Sequence, residues 1–491
     1  MRGLDRLDHR AGIATIVGFL VCVELASGVL QGYYTPIFTD IARHLSIRDA
    51  SVNWFEAAQL VVSALVVPVL AKLGDLVGHK RVLLLSTAVT ALASWAVAFA
   101  PSFGTFLVAW AIQGFYVVWL PLEVSIVHRR TAATGEQQRL TRRAAAFLVA
   151  ALETGVIVGA LTSGAIVTAT SMTVVLAVPA VAVSLCFLVI WYGVTDTAPV
   201  ATGRLDWAGF ALVTLAIGLV MAGLILVRLR GPGSWQPWLV IVLGLLALWP
   251  FARVELAQPE PLIDVRLLLG KAQWPVQLTA FLFGMSVLGA QIPLSTFART
   301  DPKVAGYGVG ADAAFVSALI GIYVLALAGG ALLLPWATRG LGTRGAMVLA
   351  ALLVAAGYGL FLPLHHTTVQ MMANMVVAGL GSGALVAALP AAAAAAAPED
   401  RTGFVTGMTN TTKTIGGAIA SSIFAIALAS TGSIADARAG HASLAGYLTV
   451  WAVCSVTALV AAACLVVVPS EAFGDRRRPG RAALTPPAAP R

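Results

Sequence analysis

The sequence predicts an all-α integral membrane protein with fourteen transmembrane helices, arranged as two six-helix pseudo-repeat bundles with an inserted helix pair. Three observations lead to this fold class: the composition, a regular succession of apolar segments, and a charged turn that recurs in the second half. Of the 491 residues, 59% are hydrophobic and 11% are charged, which is about half the charged fraction of a typical soluble domain. One globular core cannot hide that much apolar surface, so a polytopic membrane protein is the class that fits.

Fourteen apolar segments follow one another, each near the length of about 20 residues that a helix needs to cross a bilayer. The predicted spans are residues 11–36, 53–73, 82–100, 103–127, 144–169, 172–194, 207–227, 235–252, 273–297, 311–334, 345–364, 368–397, 403–430 and 444–468. The chain then divides into a cytoplasmic N-terminus (1–10), an N-terminal six-helix bundle (11–194), linkers with the two inserted helices (195–271), a C-terminal six-helix bundle (272–468) and a cytoplasmic tail (469–491). The tail is rich in Pro and Arg, a composition that predicts disorder.

An even number of spans puts both termini on one side of the membrane, and the basic residues decide which side. The termini and the loops of that side carry 23 Lys and Arg residues, and the opposite loops carry 7. Because cytoplasmic segments carry the excess of basic residues, we expect a multi-pass protein of the bacterial inner (plasma) membrane with both termini in the cytoplasm. The same rule accounts for the net charge of +9. The lipid bilayer is therefore the predicted partner, and no nucleic acid is expected.

A charged turn, AKLGDLVGHKR at 71–81, separates the second and third predicted spans. A degenerate copy of this turn, PWATRGLGTR at 335–344, separates spans ten and eleven, with Gly342 in the place of Gly78. Each copy lies between the second and third spans of a six-span unit. Spans one to six and nine to fourteen therefore look like two related halves, with spans seven and eight inserted between them.

The turn resembles the loop motif of the major facilitator superfamily, G-x-L-x-D-R-x-G-R-K. Four of its positions match here, and Ala71, Leu76 and His79 depart from it. The residues that we assign to this gating motif are Lys72, Leu73, Gly74, Asp75, Gly78, His79, Lys80 and Arg81.

Three further stretches resemble the fourteen-span drug:proton antiporter branch of that superfamily. LDWAGFALVTLAIGL (205–219) is similar to the start of its inserted helix pair, and PLIDVRLL (261–268) is similar to its linker into the second half. GMTNTTKTIGGAIA (407–420) is similar to its thirteenth helix, with Lys413 where an Arg is common. The resemblance runs from about residue 11 to 468 and implies a secondary transporter that works by alternating access.

The chemistry of the turn agrees with a gate. Glycine permits a tight turn and a close helix approach, and Asp75 can accept hydrogen bonds from a helix N-terminus or pair with a nearby base. We expect such a bond between the two halves to close the cytoplasmic side. The alternative is that Lys72, Lys80 and Arg81 merely fix the topology.

Four ionisable side chains lie deep within predicted spans, where each costs on the order of 3 kcal/mol or more. At about 1.5 Å per residue, Glu24 lies roughly 20 Å from the cytoplasmic end of its span, Glu153 and Lys413 roughly 15 Å, and Glu123 roughly 8 Å. A carboxylic acid in a low-dielectric site can load a proton on one side of the membrane and release it on the other. All four are candidates for proton coupling, with Glu24 first and Glu153 second, although each acid could instead be a satisfied structural group. Glu56 and Asp312 begin spans two and ten, where a water-exposed helix end is the simpler interpretation.

Two departures from the antiporter pattern bear on coupling. Trp110 replaces the Arg of the fourth-helix motif R-x-x-Q-G, and that Arg is linked to proton coupling in the resembled family. In the fifth-helix motif G-x-x-x-G-P-x-x-G-G, Ala160 replaces the Pro and Ser163 a Gly, which removes the basis for the expected kink. The small residues that remain for close helix packing are Gly155, Gly159 and Gly164.

Polar and aromatic residues in the spans are the candidates for a central cavity. Their mixed aromatic and amide character suits a small amphiphilic organic molecule better than a sugar or a phosphate. Each of them could instead serve helix packing. The candidates are Gln31, Tyr34, Gln113, Tyr116, Trp119, Gln291, Asn374 and Asn410.

The sequence therefore predicts a proton-coupled secondary transporter that exports small amphiphilic compounds, such as drugs or antibiotics. No nucleotide-binding G-x-x-x-x-G-K-[ST] motif, metal-ligand spacing or cofactor motif appears, and protons and a small-molecule substrate are the expected partners. An uptake or metabolite permease remains the main alternative. A membrane enzyme is disfavoured because the only His pair, His365 and His366, lies in a short loop without partner acids, and a sensor without transport is a further minor alternative.

Overall fold

The computed structural model describes residues 17–131, 137–195, 205–259, 261–397, 402–430 and 442–467. The predicted N-terminus (1–10) and tail (469–491), and most of the first linker, lie outside the described residues. The first part of the chain, the N half (17–195), contains eleven helical elements within its described residues. They are α1 (Leu20–Tyr33), η1 (Thr35–Ile37), α2 (Phe38–His44), η2 (Asp49–Val52), α3 (Asn53–Val77), α4 (His79–Ala98), α5 (Phe103–Gln113), η3 (Gly114–Val118), α6 (Trp119–Arg130), α7 (Gln137–Ile166) and α8 (Met172–Gly193), where η marks a 3-10 helix.

The inserted helices and the second part of the chain follow. The inserted pair is α9 (Trp207–Arg230) and α10 (Trp235–Ala257). The short α11 (Val265–Leu268) leads into the C half (273–467), which contains α12 (Trp274–Val287), α13 (Gln291–Arg299), α14 (Pro302–Ala305), α15 (Ala313–Leu360), α16 (Thr368–Ala395), α17 (Thr402–Ser430) and α18 (Leu444–Val467).

Twelve helices among the described residues are long and apolar enough to cross a membrane. One of them, α15, covers two predicted spans and bends at Gly342, whose φ of 74° is unfavourable for any residue with a side chain. The described part of the first predicted span (11–36) forms α1 and most of η1, and it is not among the twelve. The fold is therefore a helical multi-pass membrane protein, and the count of fourteen spans stays a prediction.

The long helices alternate in direction, which gives the bundle two ends. We call them the Asp40 end, where α2 finishes, and the Asp75 end, where α3 finishes. Gly78 turns the chain between α3 and α4 with a φ of 105°, and Gly342 does the same within α15 at the same end. The two copies of the charged turn therefore share the positive φ that their glycines allow.

Close helix contact through glycine organises each half in the same way. A Cβ on Gly28 of α1 would lie 1.9 Å from the Leu152 carbonyl oxygen of α7. A Cβ on Gly284 of α12 would lie 1.9 Å from the Lys413 carbonyl oxygen of α17. Only glycine fits at such distances, since a real Cβ cannot approach an oxygen so closely. The pairs α1–α7 and α12–α17 are thus matched contacts in the two halves.

Two seams join the halves. In one, α3 packs along α17, and in the other, α7 packs along α15. Under the predicted repeat these two seams are equivalent, because α3 corresponds to the first part of α15 and α7 to α17. The inserted helix α9 lies beside the first seam and contacts both α3 and α17.

The glycine contacts generate a stability prediction. Gly416→Ala should destabilise the protein by about 1–3 kcal/mol of packing strain, because its Cβ would lie 2.1 Å from the Phe281 carbonyl oxygen. Gly407→Ala, in the same helix, is the matched control, since a Cβ there meets nothing within 4 Å, and Ala is the better helix former by about 1 kcal/mol. Thermal unfolding in detergent should show a lower midpoint for Gly416→Ala alone. Equal midpoints for the two variants would contradict the contact.

Candidate functional site

Two carboxylic acids face each other in the interior of the N half. Glu24 of α1 and Glu123 of α6 are both fully buried, and their carboxyl groups lie close enough for their charges to interact. No other described residue donates a hydrogen bond to any of their four oxygens, and the two carboxyl groups are placed to hydrogen-bond to each other when one carries a proton. The charge of Arg130, at the end of α6, also reaches Glu123. Two acids in one buried site cannot both be charged without a large cost, and such pairs characteristically share one proton.

The same two chain segments meet again nearer the Asp40 end. Gln31 follows Glu24 by seven residues, and Tyr116 precedes Glu123 by seven. Because α1 and the η3–α6 segment run in opposite directions, Gln31 lies beside Tyr116, about 10 Å from the acid pair along the helix axis.

The charge of Glu56 also reaches Tyr116, as does that of Glu24. Glu56 lies in the first turn of α3 and is partly exposed, so the water-exposed helix end stays a prediction for Glu56. The other acid with that expectation, Asp312, does cap a helix: its Oδ1 accepts a hydrogen bond from the Phe315 backbone N at 2.8 Å.

An acid of the N half and a base of the C half interact between the two halves. Glu153 of α7 and Lys413 of α17 are each partly exposed, and their charges act on each other. Both residues lie at close helix contacts, because Leu152, next to Glu153, faces Gly28, and the Lys413 carbonyl faces Gly284. Of the three acids that were predicted to lie deep in the spans, Glu153 is the one that the charge of Lys413 reaches.

The acid of the gating motif is paired within the N half. Asp75 Oδ1 lies 3.1 Å from Arg129 Nη2 and 3.3 Å from His79 Nε2. Within the described part of the chain, Asp75 therefore makes no bond to the other half. Instead the acid ties the end of α3 to the start of α4 and to the end of α6.

The other motif residues hold the same corner together. Gly74 packs so closely that a Cβ would lie 2.9 Å from Leu122 Cδ2, and Lys80 Nζ donates to the Trp191 carbonyl oxygen at 3.0 Å. The charge of Lys72 reaches Glu255 of the inserted helix α10. Leu73 and Lys72 are half-buried, and Arg81 is exposed. The motif thus contacts α6, α8 and the inserted pair as well as its own turn.

Trp110 stands where the resembled family has an Arg, and it fills a cluster of rings. Its ring centroid lies 4.4 Å from that of Tyr34, 5.7 Å from Phe106 and 6.0 Å from Phe55. The indole is buried, and its Nε1 has no acceptor among the described residues. The place of a cation is therefore taken here by apolar packing.

Five of the eight cavity candidates are buried: Tyr34, Gln113, Tyr116, Trp119 and Asn374. Gln113 Nε2 donates to Tyr34 Oη at 3.1 Å and to Ser94 Oγ at 2.9 Å, and Trp119 Nε1 donates to Ser86 Oγ at 3.1 Å. Asn374 Nδ2 donates to the Leu364 carbonyl oxygen at 2.7 Å, which ties a loop at the Asp40 end. These hydrogen bonds stay within one half. The accessible candidates are Gln31, which is exposed, and Gln291 and Asn410, which are partly exposed.

Three hydrogen bonds join the halves towards the Asp40 end. Arg299 Nη2 lies 2.8 Å from Asp40 Oδ1, and Ser295 Oγ donates to the Thr35 carbonyl oxygen at 2.6 Å. Ser317 Oγ donates to the Ala160 carbonyl oxygen at 2.7 Å. The seams are therefore sealed at this end of the bundle.

The fifth-helix glycines serve two different contacts. Gly155 and Gly159 lie against α1, where their Cβ atoms would come within 2.3 Å of the Leu25 oxygen and 2.9 Å of the Val29 oxygen. Gly164 lies across the seam, where its Cβ would be 2.3 Å from Ser317 Oγ. Helix α7 is continuous through Ala160, so the kink that a proline would cause is absent from the described helix.

The bundle of membrane-spanning helices has two similar halves, which are joined along two seams and sealed at one end. It also contains buried acids. These features are typical of a polytopic transporter. The Major Facilitator Superfamily model matches residues 20–421 and 276–490, and the chain belongs to that superfamily. It is thus a secondary transporter and not an enzyme.

Relatives and solved structures agree on the fold and differ in cargo. The chain is 27% identical to the cephamycin export protein CmcT of Amycolatopsis lactamdurans, over 88% of each protein. It is 22% identical to the uridine/deoxyuridine transporter of Lactococcus lactis subsp. cremoris, over 65% of this chain and 66% of that one. It resembles an autoinhibited POT family peptide transporter with a TM-score of 0.67 and 14% identity, over 92% and 97% of the two chains. The nucleoside transporter NupG gives a TM-score of 0.59 at 14% identity, over 92% and 98%.

The seal at the Asp40 end can be tested by removing its ion pair. Arg299→Ala should shift the conformational equilibrium towards opening at this end by about 2 kcal/mol, or roughly 30-fold, because the bond joins charged groups that are largely shielded from water. Double electron–electron resonance can measure the distance between spin labels at His44 and Val304, both exposed at the Asp40 end. This distance should be longer in Arg299→Ala than in wild type.

Arg43→Ala is the matched control. Arg43 Nη1 lies 3.6 Å from the same Asp40 oxygen, but it belongs to the same helix as Asp40, so its loss leaves the link between the halves in place. The seal model would be refuted by equal distance distributions in wild type and Arg299→Ala.

Proposed function

We propose that this transporter exports small amphiphilic organic compounds, such as drugs or antibiotics, in exchange for protons. The halves rock about the two seams so that a central site opens to one side of the membrane at a time. The observation that supports the proposal is the buried pair of acids, Glu24 and Glu123, whose four carboxyl oxygens accept no hydrogen bond from any other described residue.

The acid pair suits proton coupling because its two carboxyl groups act as one site. Sequence analysis ranked Glu123 lowest because it lies near the end of its helix. Its complete burial beside Glu24 supports raising it to the first rank. Coupling then depends on loading and releasing one proton from the pair as water reaches α1 and α6 in alternate conformations.

The pair Glu153–Lys413 has a different role in this proposal. Each partner comes from one half, so the attraction between them changes when the halves move. The attraction between opposite charges in a low-dielectric site is strong when they are close and falls as the distance between them grows. We propose that this pair biases the conformation sealed at the Asp40 end and that substrate or a proton on Glu153 weakens the bias.

We further propose that the Asp75 end faces the cytoplasm and that both termini lie on that side of the plasma membrane. The distribution of Lys and Arg supports this orientation. The present conformation then faces inward. In the outward-facing conformation the gating motif would close the cytoplasmic side by exchanging the partners of Asp75 for groups of the C half.

An uptake or metabolite permease is the second candidate. The uridine/deoxyuridine transporter of Lactococcus lactis is a relative at an identity comparable to that of the export protein. The two functions differ in the direction of flux, and the same acid pair could serve proton symport.

Neutralising the acid pair tests the coupling. In everted membrane vesicles acidified inside by respiration, wild type should accumulate a cephamycin or ethidium, and Glu24→Gln and Glu123→Gln should each reduce that accumulation about tenfold or more. Because the two acids act as one site, the double variant should be no worse than either single variant. Substrate exchange without a pH gradient should persist, since it needs no change of protonation.

Asp312→Asn provides the control, because Asp312 is a helix-capping acid. The coupling model would be wrong if the double Gln variant accumulated substrate in response to the pH gradient as well as wild type does. Uridine entry that responds to the gradient in right-side-out vesicles, with no export of the other compounds, would favour the uptake alternative.

Single-cysteine labelling tests the orientation. In a background without native cysteines, a membrane-impermeant maleimide added to intact cells should label a cysteine at His366, which is exposed at the Asp40 end. It should miss a cysteine at Arg81, exposed at the Asp75 end, until the cells are permeabilised. The opposite pattern would reverse the assignment of the two ends.

A further inference from the structure

Two of the stretches that resemble the antiporter branch meet at one buried acid. Glu255, near the end of the inserted helix α10, is only 2% exposed. Its Oε2 accepts a hydrogen bond from the Ile263 backbone N, in the linker 261–268, at 3.2 Å. Its Oε1 faces Gly209 of α9 so closely that a Cβ there would lie 2.2 Å away. Glu255 therefore ties the linker into the second half to the inserted pair.

A second acid approaches the same point. Asp206 stands at the start of α9, where its Oδ1 accepts a hydrogen bond from the Gly209 backbone N at 2.9 Å. Its Oδ2 would lie 2.8 Å from the same Cβ of Gly209. Asp206 Oδ2 and Glu255 Oε1 are buried atoms, and neither has a hydrogen-bond partner among the described residues. Each acid therefore holds a backbone N–H with one oxygen and turns the other oxygen towards its neighbour.

The helix α3 brings a base to this junction. The charges of Lys72 and Asp206 both reach Glu255. Lys72 lies seven residues from Leu65, and Leu65 packs against the core of the inserted pair, so the two share one face of α3. Lys72 can offset one negative charge of the two acids but not both. The other charged side chains of these segments are bonded elsewhere: Asp264 to the Leu267 backbone N, Arg266 to the Leu256 carbonyl oxygen and Arg253 to the Trp249 ring.

The number of protons on the two acids decides whether they attract or repel. Two carboxylates this close repel each other in a buried site, whereas one shared proton converts the repulsion into a hydrogen bond. The linker responds to this change, because Glu255 holds the Ile263 backbone. Leu267, further along the linker, packs against the core of the C half. A looser hold on the linker therefore affects the connection between the inserted pair and the C half.

We propose that Asp206 and Glu255 bind one proton between them and form a pH-sensitive contact that fastens the linker to the inserted pair. With the proton bound, the two acids are hydrogen-bonded and Glu255 keeps the Ile263 backbone in place. When the proton leaves to the solvent at the Asp75 end, the repulsion releases the linker from α10. This proton does not cross the membrane, so the site is separate from the acid pair Glu24–Glu123 and goes beyond the proposed transport function.

Hydrogen exchange of the linker 261–268 in the purified full-length protein tests the contact. The fastened state binds the proton more tightly than the released state, so its stability falls as the pH rises. Protection factors, which are corrected for the intrinsic effect of pH on exchange, should fall about tenfold or more between pH 6 and pH 9 in wild type. Glu255→Gln should keep high protection at both pH values, because its amide can donate to Asp206 Oδ2 and still accept from Ile263. Glu255→Ala, which loses both bonds, should give low protection at both.

Asp206→Asn is a second mimic of the protonated pair and should also abolish the pH dependence, which keeps the test available if Glu255→Gln does not fold. The matched control is Asp301→Asn, since Asp301 is a helix-capping acid at the Asp40 end that accepts from the Lys303 backbone N at 2.9 Å. This variant should keep the wild-type fall in protection. Protection in wild type that does not change with pH, or a Glu255→Gln protein with the wild-type pH dependence, would overturn the inference. Neither result involves substrate or a gradient, so the vesicle experiment judges the transport proposal separately.

Discussion

Backbone contact through glycine holds α1 against α7 and α12 against α17 and organises each half in the same way. At Gly28 and at Gly284, a carbonyl oxygen of the facing helix occupies the space that a Cβ would need. Helices this close cannot rotate against each other without a clash. Glu24, Glu153 and Lys413 are all carried on these closely packed helices. In the proposed rocking motion each half therefore moves as a unit.

Much of the fold could be predicted because membrane-spanning helices are recognisable as long apolar segments of the sequence. Apolar segments gave the spans from α3 to α18, and the paired turns at Gly78 and Gly342 gave the internal repeat. The first span was harder, because α1 gives way to a 3-10 turn at Thr35–Ile37 that hydropathy cannot register. The merging of two spans into α15 likewise depends on the local geometry of one glycine.

The sequence predicts how deep a side chain lies in the membrane more readily than which other side chains it contacts. Residue counting placed Glu24, Glu123 and Glu153 along the membrane normal, but it said nothing about which helix each one faces. One signal was present: Glu24 and Gln31 are seven apart, as are Tyr116 and Glu123, a spacing that aligns two pairs on antiparallel helices. At Trp110 the absence of the Arg was visible in the sequence, whereas the cluster of rings that fills its place depends on helices from distant parts of the chain.

The matched glycine contacts make Lys413 the counterpart of Leu152, so Glu153 lies one residue from the position equivalent to Lys413. The opposite charges of these two side chains have an electrical consequence. Moving one elementary charge across a membrane potential changes the free energy by about 2.3 kcal/mol per 100 mV. In the proposed rocking motion an acid and a base at matched depth traverse the same part of the field, and the work on one cancels the work on the other. This pair therefore adds no net voltage dependence to the step in which the empty transporter returns to its starting conformation. The voltage dependence of a transport cycle then reports the charge of the cargo and the number of protons exchanged for it.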